Sequence, residues 1–164
     1  MPLQIVELNP RLHNRKAFDC GNEDRNRYIK ELANQHQKIG FSKTFVLTDT
    51  DSPTEVIGFY SLSAAQVNLG DISKDDRRRL PRVPVPAARV GQLGVSVDHQ
   101  RQGHGPLMLQ NAVKRAMSVR EHAMGVRMLI VDADSEDAAN FYRHFGFKDC
   151  TAEGRILYLC LGAG

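Results

Sequence analysis

The chain has 164 residues, 41% hydrophobic and 25% charged, enough to bury a full core and inconsistent with a disordered or fibrous chain. No stretch approaches the roughly 18 apolar residues of a bilayer span, and Met1-Pro2-Leu3-Gln4-Ile5-Val6-Glu7 lacks a basic-then-apolar leader, which argues against a membrane segment and export. A net charge of +3 permits a polyanionic partner without demanding one; three widely spaced cysteines (Cys20, Cys150, Cys160) argue against a disulfide framework and for a cytoplasmic setting.

Taken in chain order, residues 3–8 alternate weakly and read as a strand. Asn22 reads as an N-cap, with Glu23 and Asp24 suited to the first-turn dipole and Gly40 to the helix end. Tyr28, Leu32, His36 and Ile39 fall at steps of three and four and predict the inner face of that helix. Residues 44–48 and 56–67 are rich in β-branched and aromatic types and are expected to form an antiparallel hairpin across a polar turn. Periodicity stops between Asn68 and Ala88, where Lys74, Arg77, Arg78, Arg79 and Arg82 accompany prolines 81, 84 and 86; a short helix near 73–80 and an extended stretch fit there.

Residues 90–97 read as a strand with Leu93, Val95 and Val97 on one face. A helix from about Pro106 to His122 follows, its buried stripe expected at Leu109, Ala112, Val113, Ala116 and Met117. The almost wholly apolar 126–133 reads as a central strand, 136–145 as a helix capped by Asp134 or Ser135 and stopped by Gly146, and 155–161 as a last strand. The expected fold is one mixed α+β domain over residues 1–164 with a predominantly antiparallel sheet.

Between the strand ending at Val97 and the helix opening at Pro106 runs Asp98-His99-Gln100-Arg101-Gln102-Gly103-His104-Gly105. A glycine-rich loop that opens a helix presents unpaired N–H groups at the positive end of a dipole, which suits a phosphate or diphosphate. Walker A is excluded because no Gly-Lys-Ser/Thr follows. The dinucleotide fingerprint is excluded because Met108 stands where its third glycine belongs.

What remains is Gln100-x-x-Gly103-x-Gly105 after a strand, followed by Asp134-Ser135, Phe141-Tyr142 and Phe145-Gly146-Phe147. This combination resembles the GCN5-related N-acetyltransferase (GNAT) superfamily, whose acyl-CoA loop reads Arg/Gln-x-x-Gly-x-Gly/Ala. Four further segments look like the acetyltransferase toxins of bacterial toxin–antitoxin pairs: Phe18-Asp19-Cys20-Gly21-Asn22, Gly58 to Ser63, Arg79 to Pro86 and Leu93 to Asp98. Three positions depart from the pattern: Ser135 stands where Asn is frequent, Pro106 where the toxins often have Arg, and His104 where an aliphatic residue is usual.

The resemblance implies a GNAT fold and acetyl-CoA as cofactor, held by Val95, Ser96, Val97, Gln100, Arg101, Gln102, Gly103, His104, Gly105, Pro106 and Ser135. Backbone N–H groups at Val95 to Val97 are expected to hold the thioester and oxyanion, and Tyr142 to act as general acid. A phenol of reference pKa about 10 stays protonated at neutral pH and can donate to a departing thiolate. For the acceptor, an α-amine near pKa ~8 is already substantially neutral at physiological pH, whereas freeing a lysine amine at pH 7 costs about 4–5 kcal/mol. With only Glu55 and His99 as possible bases, an α-amine is favoured.

Toxins of this kind acetylate aminoacyl-tRNA and stop translation, are neutralised by a ribbon-helix-helix antitoxin, reach DNA only with it and commonly form homodimers. Arg77, Arg78, Arg79 and Arg82 are then expected to meet RNA phosphates. Two other readings stand beside this one: an N-acetyltransferase of small amines or protein N-termini, and a non-catalytic acyl-CoA sensor or co-repressor. No His or Cys spacing suits a metal.

Overall fold

The structure, a computed structural model, describes residues 2–150 and 155–162. Its strands are β1 (Leu3–Glu7), β2 (Lys43–Asp49), β3 (Gly58–Val67), β4 (Val85–Val95), β5 (Met128–Asp132), β6 (Lys148–Asp149) and β7 (Ile156–Cys160), in the sheet order β1-β2-β3-β4-β5-β7-β6. Its α-helices are α1 (Glu23–Arg27), α2 (Ala33–Lys38), α3 (Lys74–Arg77), α4 (His104–His122) and α5 (Glu136–His144). β1–β2, β2–β3, β5–β7 and β6–β7 pair antiparallel and β4–β5 parallel, the mixed, mostly antiparallel α+β sheet expected. No helix among the described residues is long and apolar enough to cross a membrane. The backbone divides into two compact units, 1–63 with 91–112 and 64–90 with 113–164.

The first unit is organised around Phe59, whose ring meets Phe18 edge-on at 5.4 Å and stacks over Tyr28 at 6.1 Å. Leu8, Ile29, Val46 and Val56 complete this cluster. Asn22 caps α1 as expected, its Oδ1 accepting from the Arg25 N–H at 3.0 Å. The helix then departs from the reading, because Tyr28–Leu32 forms a π-turn before α2. A wider turn breaks the 3.6-residue period, so the stripe Tyr28, Leu32, His36, Ile39 holds only at its start, where Tyr28 is buried and Leu32 packs against the same cluster. Ile29 and Ala33 are fully buried beside them, and Ile39 is 67% exposed.

The hairpin partner β3 starts at Gly58 rather than Val56, with Leu47 opposite Gly58. A Cβ at Gly58 would lie 2.8 Å from Met108 Cε and 2.9 Å from the Gly94 carbonyl oxygen. Only hydrogen fits where β3, the end of β4 and the start of α4 converge. Tyr60 fastens the same region, donating from its hydroxyl to Asn111 Oδ1 at 2.6 Å.

The second unit packs Val67, Ile72, Val85, Ala87, Met128, Ile130 and Tyr158 together. β4 begins five residues earlier than expected, since Pro84 and Pro86 bias their predecessors to extended backbone. It also stops at Val95, so Val97 leaves the strand, enters a 3-10 turn and is 48% exposed. In α4 the fully buried residues are Met108, Leu109, Ala112 and Ala116, while Val113 and Met117 are half-buried. A two-residue β6, too short for a sequence pattern, sets Lys148 opposite Tyr158 and Asp149 opposite Leu157.

Candidate active site

The turn after β4 rests on the segment Phe18 to Asn22. Asn26, 8% exposed, accepts the Cys20 N–H at 2.9 Å and donates to Asp19 Oδ1 at 2.9 Å. Asp19 Oδ1 also accepts the Gly21 N–H at 2.9 Å, and these hydrogen bonds, first Gly21 and then Asn26, pull the Asp19 carboxyl below its usual pKa. So braced, the segment offers two carbonyls to the turn. The Asp19 carbonyl takes the Val97 N–H at 2.8 Å, and the Cys20 carbonyl takes Gln100 Nε2 at 3.1 Å.

Those bonds correct part of the sequence reading. The Ser96 N–H donates to the Ile57 carbonyl at 2.8 Å and the Val97 N–H to Asp19, so neither is free to hold an oxyanion. Val95, half-buried at the end of β4, is the member of that trio whose N–H the structure does not commit to these anchors. Gln100 is likewise occupied, its amide donating at 2.9 Å to the Val95 carbonyl as well as to Cys20. Its side chain shapes the turn, where a direct cofactor contact was expected.

The turn itself has the backbone form expected of an anion-binding loop. Arg101 (φ +64°) and Gly103 (φ +81°) both adopt left-handed backbone, separated by Gln102, and all three are exposed. Successive backbone amides around such residues point into a shared concavity. Gly103 ends as the cap of α4, since the Leu107 N–H donates back to its carbonyl at 3.3 Å. The N–H groups of His104 and Gly105 therefore have no acceptor within the helix, and Pro106 has none to offer. Nothing lies within 4 Å of the position a Gly103 Cβ would take, so the concavity is open to a diphosphate. His104 faces inward, 5% exposed with Nε2 unpartnered, and burial, then neighbouring His99, lowers its pKa. Glu55 and His99, 44 residues apart, meet at 2.8 Å. No local pattern announces that pair.

In the second unit, Ser135 caps α5 by accepting the Ala138 N–H at 3.0 Å, the alternative cap named by the sequence. Its oxygen thus serves the helix that carries Tyr142. Tyr142 is 7% exposed, with its ring 5.2 Å from Phe141 and 5.6 Å from Phe147. Arg143, unremarked in the sequence, clamps that helix through Asp149 at 2.9 and 3.0 Å, Glu136 at 2.7 Å and Asn140 at 2.7 Å.

The arginine cluster divides in two. Arg77, Arg79 and Arg82 line a cavity of about 720 Å³ with Leu69 and Pro84, and Arg79 holds a strained φ of +72°. Arg78 does not line it; its guanidinium donates to Asp75 at 3.2 Å. Such a solvated i,i+3 pair contributes little to stability.

A strand-to-helix anion turn and a tyrosine on a helix closed by Phe-Gly-Phe are shared features of one enzyme class. A family model described as "Acetyltransferase (GNAT) domain" matches residues 40–149. The chain belongs to the GNAT acetyltransferases. This GNAT chain is 30% identical to a "tRNA-acetylating toxin" of Mycobacterium tuberculosis over 132 residues, 80% of this chain and 76% of that one. Its fold superposes with a TM-score of 0.87 on "AtaT complexed with acetyl-methionyl-tRNAfMet", at 25% identity over 96% of this chain and 94% of the other. It superposes with a TM-score of 0.81 on "AtaTR bound with AcCoA", at 26% identity over 97% and 94% of the two chains. The family assignment makes this chain an acetyltransferase.

Proposed function

We propose that this enzyme uses acetyl-CoA to acetylate the α-amino group of aminoacyl-tRNA and so acts as a translation-blocking toxin in the cytoplasm. In this reading a ribbon-helix-helix antitoxin neutralises it, DNA is reached only with that antitoxin, and the enzyme works as a homodimer. The cavity lined by Arg77, Arg79 and Arg82 carries the choice of acceptor, because three arginines around one hollow with no acidic residue in its lining suit phosphates rather than a cationic amine.

The amides of Gly103, His104 and Gly105 hold the diphosphate, with the Arg101 guanidinium adding charge from the rim. Attack of the neutral α-amine forms the new C–N bond as the C–S bond breaks. Tyr142 gives its phenolic proton to the sulfur, and the proton lost from nitrogen passes through water to restore the phenol.

The test is the fate of label from acetyl-CoA offered to charged tRNA, uncharged tRNA, spermidine and a peptide with a free N-terminus. Label is expected on charged tRNA alone, released with the aminoacyl ester by mild base. Label on spermidine or peptide, with none on the ester, would replace this reading with that of a small-amine or N-terminal enzyme.

A further inference from the structure

α3 has four residues, far too few to hold a helix by its own hydrogen bonds. It is fastened from outside. Ser73 caps it, Oγ accepting the Asp76 N–H at 3.2 Å, and the Ser73 N–H donates to the Tyr158 hydroxyl at 3.0 Å. Asp76 Oδ2 accepts three further bonds: from Tyr158 at 2.7 Å, from Lys148 at 2.8 Å and from the Ser73 hydroxyl at 2.9 Å. Tyr158 is 1% exposed in β7, and Ile72 and Leu80, on either side of α3, pack into the same apolar cluster. One carboxylate oxygen therefore joins α3 to β6 and β7, immediately before the arginine that opens the cavity.

Partial burial pushes the Asp76 carboxyl up, but the bonds from Lys148, Tyr158 and Ser73 together outweigh it and hold its pKa at about 2. A depressed carboxylate contributes its stability fully above its ordinary value of 3.8 and loses it as pH falls through about 2. The junction is closed at every physiological pH.

We propose that Asp76 is a positioning residue for the RNA acceptor: with Tyr158 it latches α3 to β7 and so sets Arg77, Arg79 and Arg82 around one phosphate-binding hollow. This rests on the aminoacyl-tRNA reading above. The latch and plain charge counting predict opposite signs. Removing a negative charge beside a phosphate site strengthens RNA binding if charge alone matters. Removing the latch weakens it, because the arginines lose their common geometry.

The experiment compares steady-state acetylation of charged tRNA by wild type, Asp76→Asn, Tyr158→Phe and the double variant, with acetyl-CoA affinity measured separately. Tyr158→Phe keeps ring volume and charge, so it remains informative if Asp76→Asn folds poorly. Each single variant is expected to raise KM for charged tRNA about tenfold, with kcat and acetyl-CoA affinity within about twofold, and the double variant to add little, as for groups in one network. Amide exchange at Asp76 and Arg77 is expected to quicken in both. A KM that stays level or falls in both variants, or a loss shared equally by kcat, overturns the latch while wild-type labelling of tRNA keeps the acceptor reading. Wild type that places no label on charged tRNA overturns both.

Discussion

Replacing Tyr142 with phenylalanine is expected to lower kcat by about 10²- to 10⁴-fold, the range spanned by a well-placed general acid. The substitution removes one hydroxyl and keeps the ring that packs 5.2 Å from Phe141 and 5.6 Å from Phe147. The fold should therefore survive, with a melting shift of no more than a few degrees. Acetyl-CoA binding, which this account assigns to the backbone of the turn at 101–105, should change by less than about threefold. Quenched-flow measurement of the acetyl-transfer step separates chemistry from product release. A variant with unaltered transfer would show that the leaving thiolate obtains its proton elsewhere.

The second large effect concerns RNA. Changing Arg77, Arg79 and Arg82 together to glutamate reverses three charges around a single hollow. We expect kcat/KM for charged tRNA to fall by at least about 10³-fold, and the slope of log KM against log salt to lose about 2–3 units if each guanidinium neutralises one phosphate. Arg78→Glu is the internal control. Its guanidinium already pairs with Asp75 on an exposed face, so it should alter kcat/KM several-fold at most. Acetyl-CoA affinity should be untouched in both. Equal losses in the triple variant and the Arg78 variant would mean a diffuse basic surface in place of a built hollow.

The parts of this molecule that were legible in its sequence are those coded locally. The Asn22 and Ser135 caps, the β2–β3 hairpin and the glycine turn each depend on residues a few positions apart. So does the short α3 at the start of the arginine segment. What escaped depends on long-range contact. The π-turn at Tyr28–Leu32 cannot be seen in a 3.6-residue count, although Asn26, a polar residue four positions past the cap, marks the buried face that it serves. The segment Phe18 to Asn22 carries no periodic signal of its own, yet through Asp19 and Cys20 it supports the turn after β4.

The same contacts engage donors that the sequence offers as cofactor contacts. Ser96, Val97 and Gln100 hold the protein to itself, and a sequence offers no means of telling a donor aimed at a neighbour from one aimed at a cofactor. The arginine run illustrates the converse. Four neighbouring arginines are alike in the sequence, and the left-handed Arg79 together with the Asp75 pairing sorts Arg77, Arg79 and Arg82 from Arg78. The latch joining residues 73, 76, 148 and 158 spans half the chain and leaves no periodic trace.

Calorimetric titration with acetyl-CoA tests most directly whether the open turn at 101–105 takes the diphosphate. Saturable uptake of one molecule per chain is expected, weakened at least about tenfold by Gly103→Val, since a β-branched residue resists the φ of +81° found there. No uptake by the wild type, or equal uptake by the variant, would contradict it.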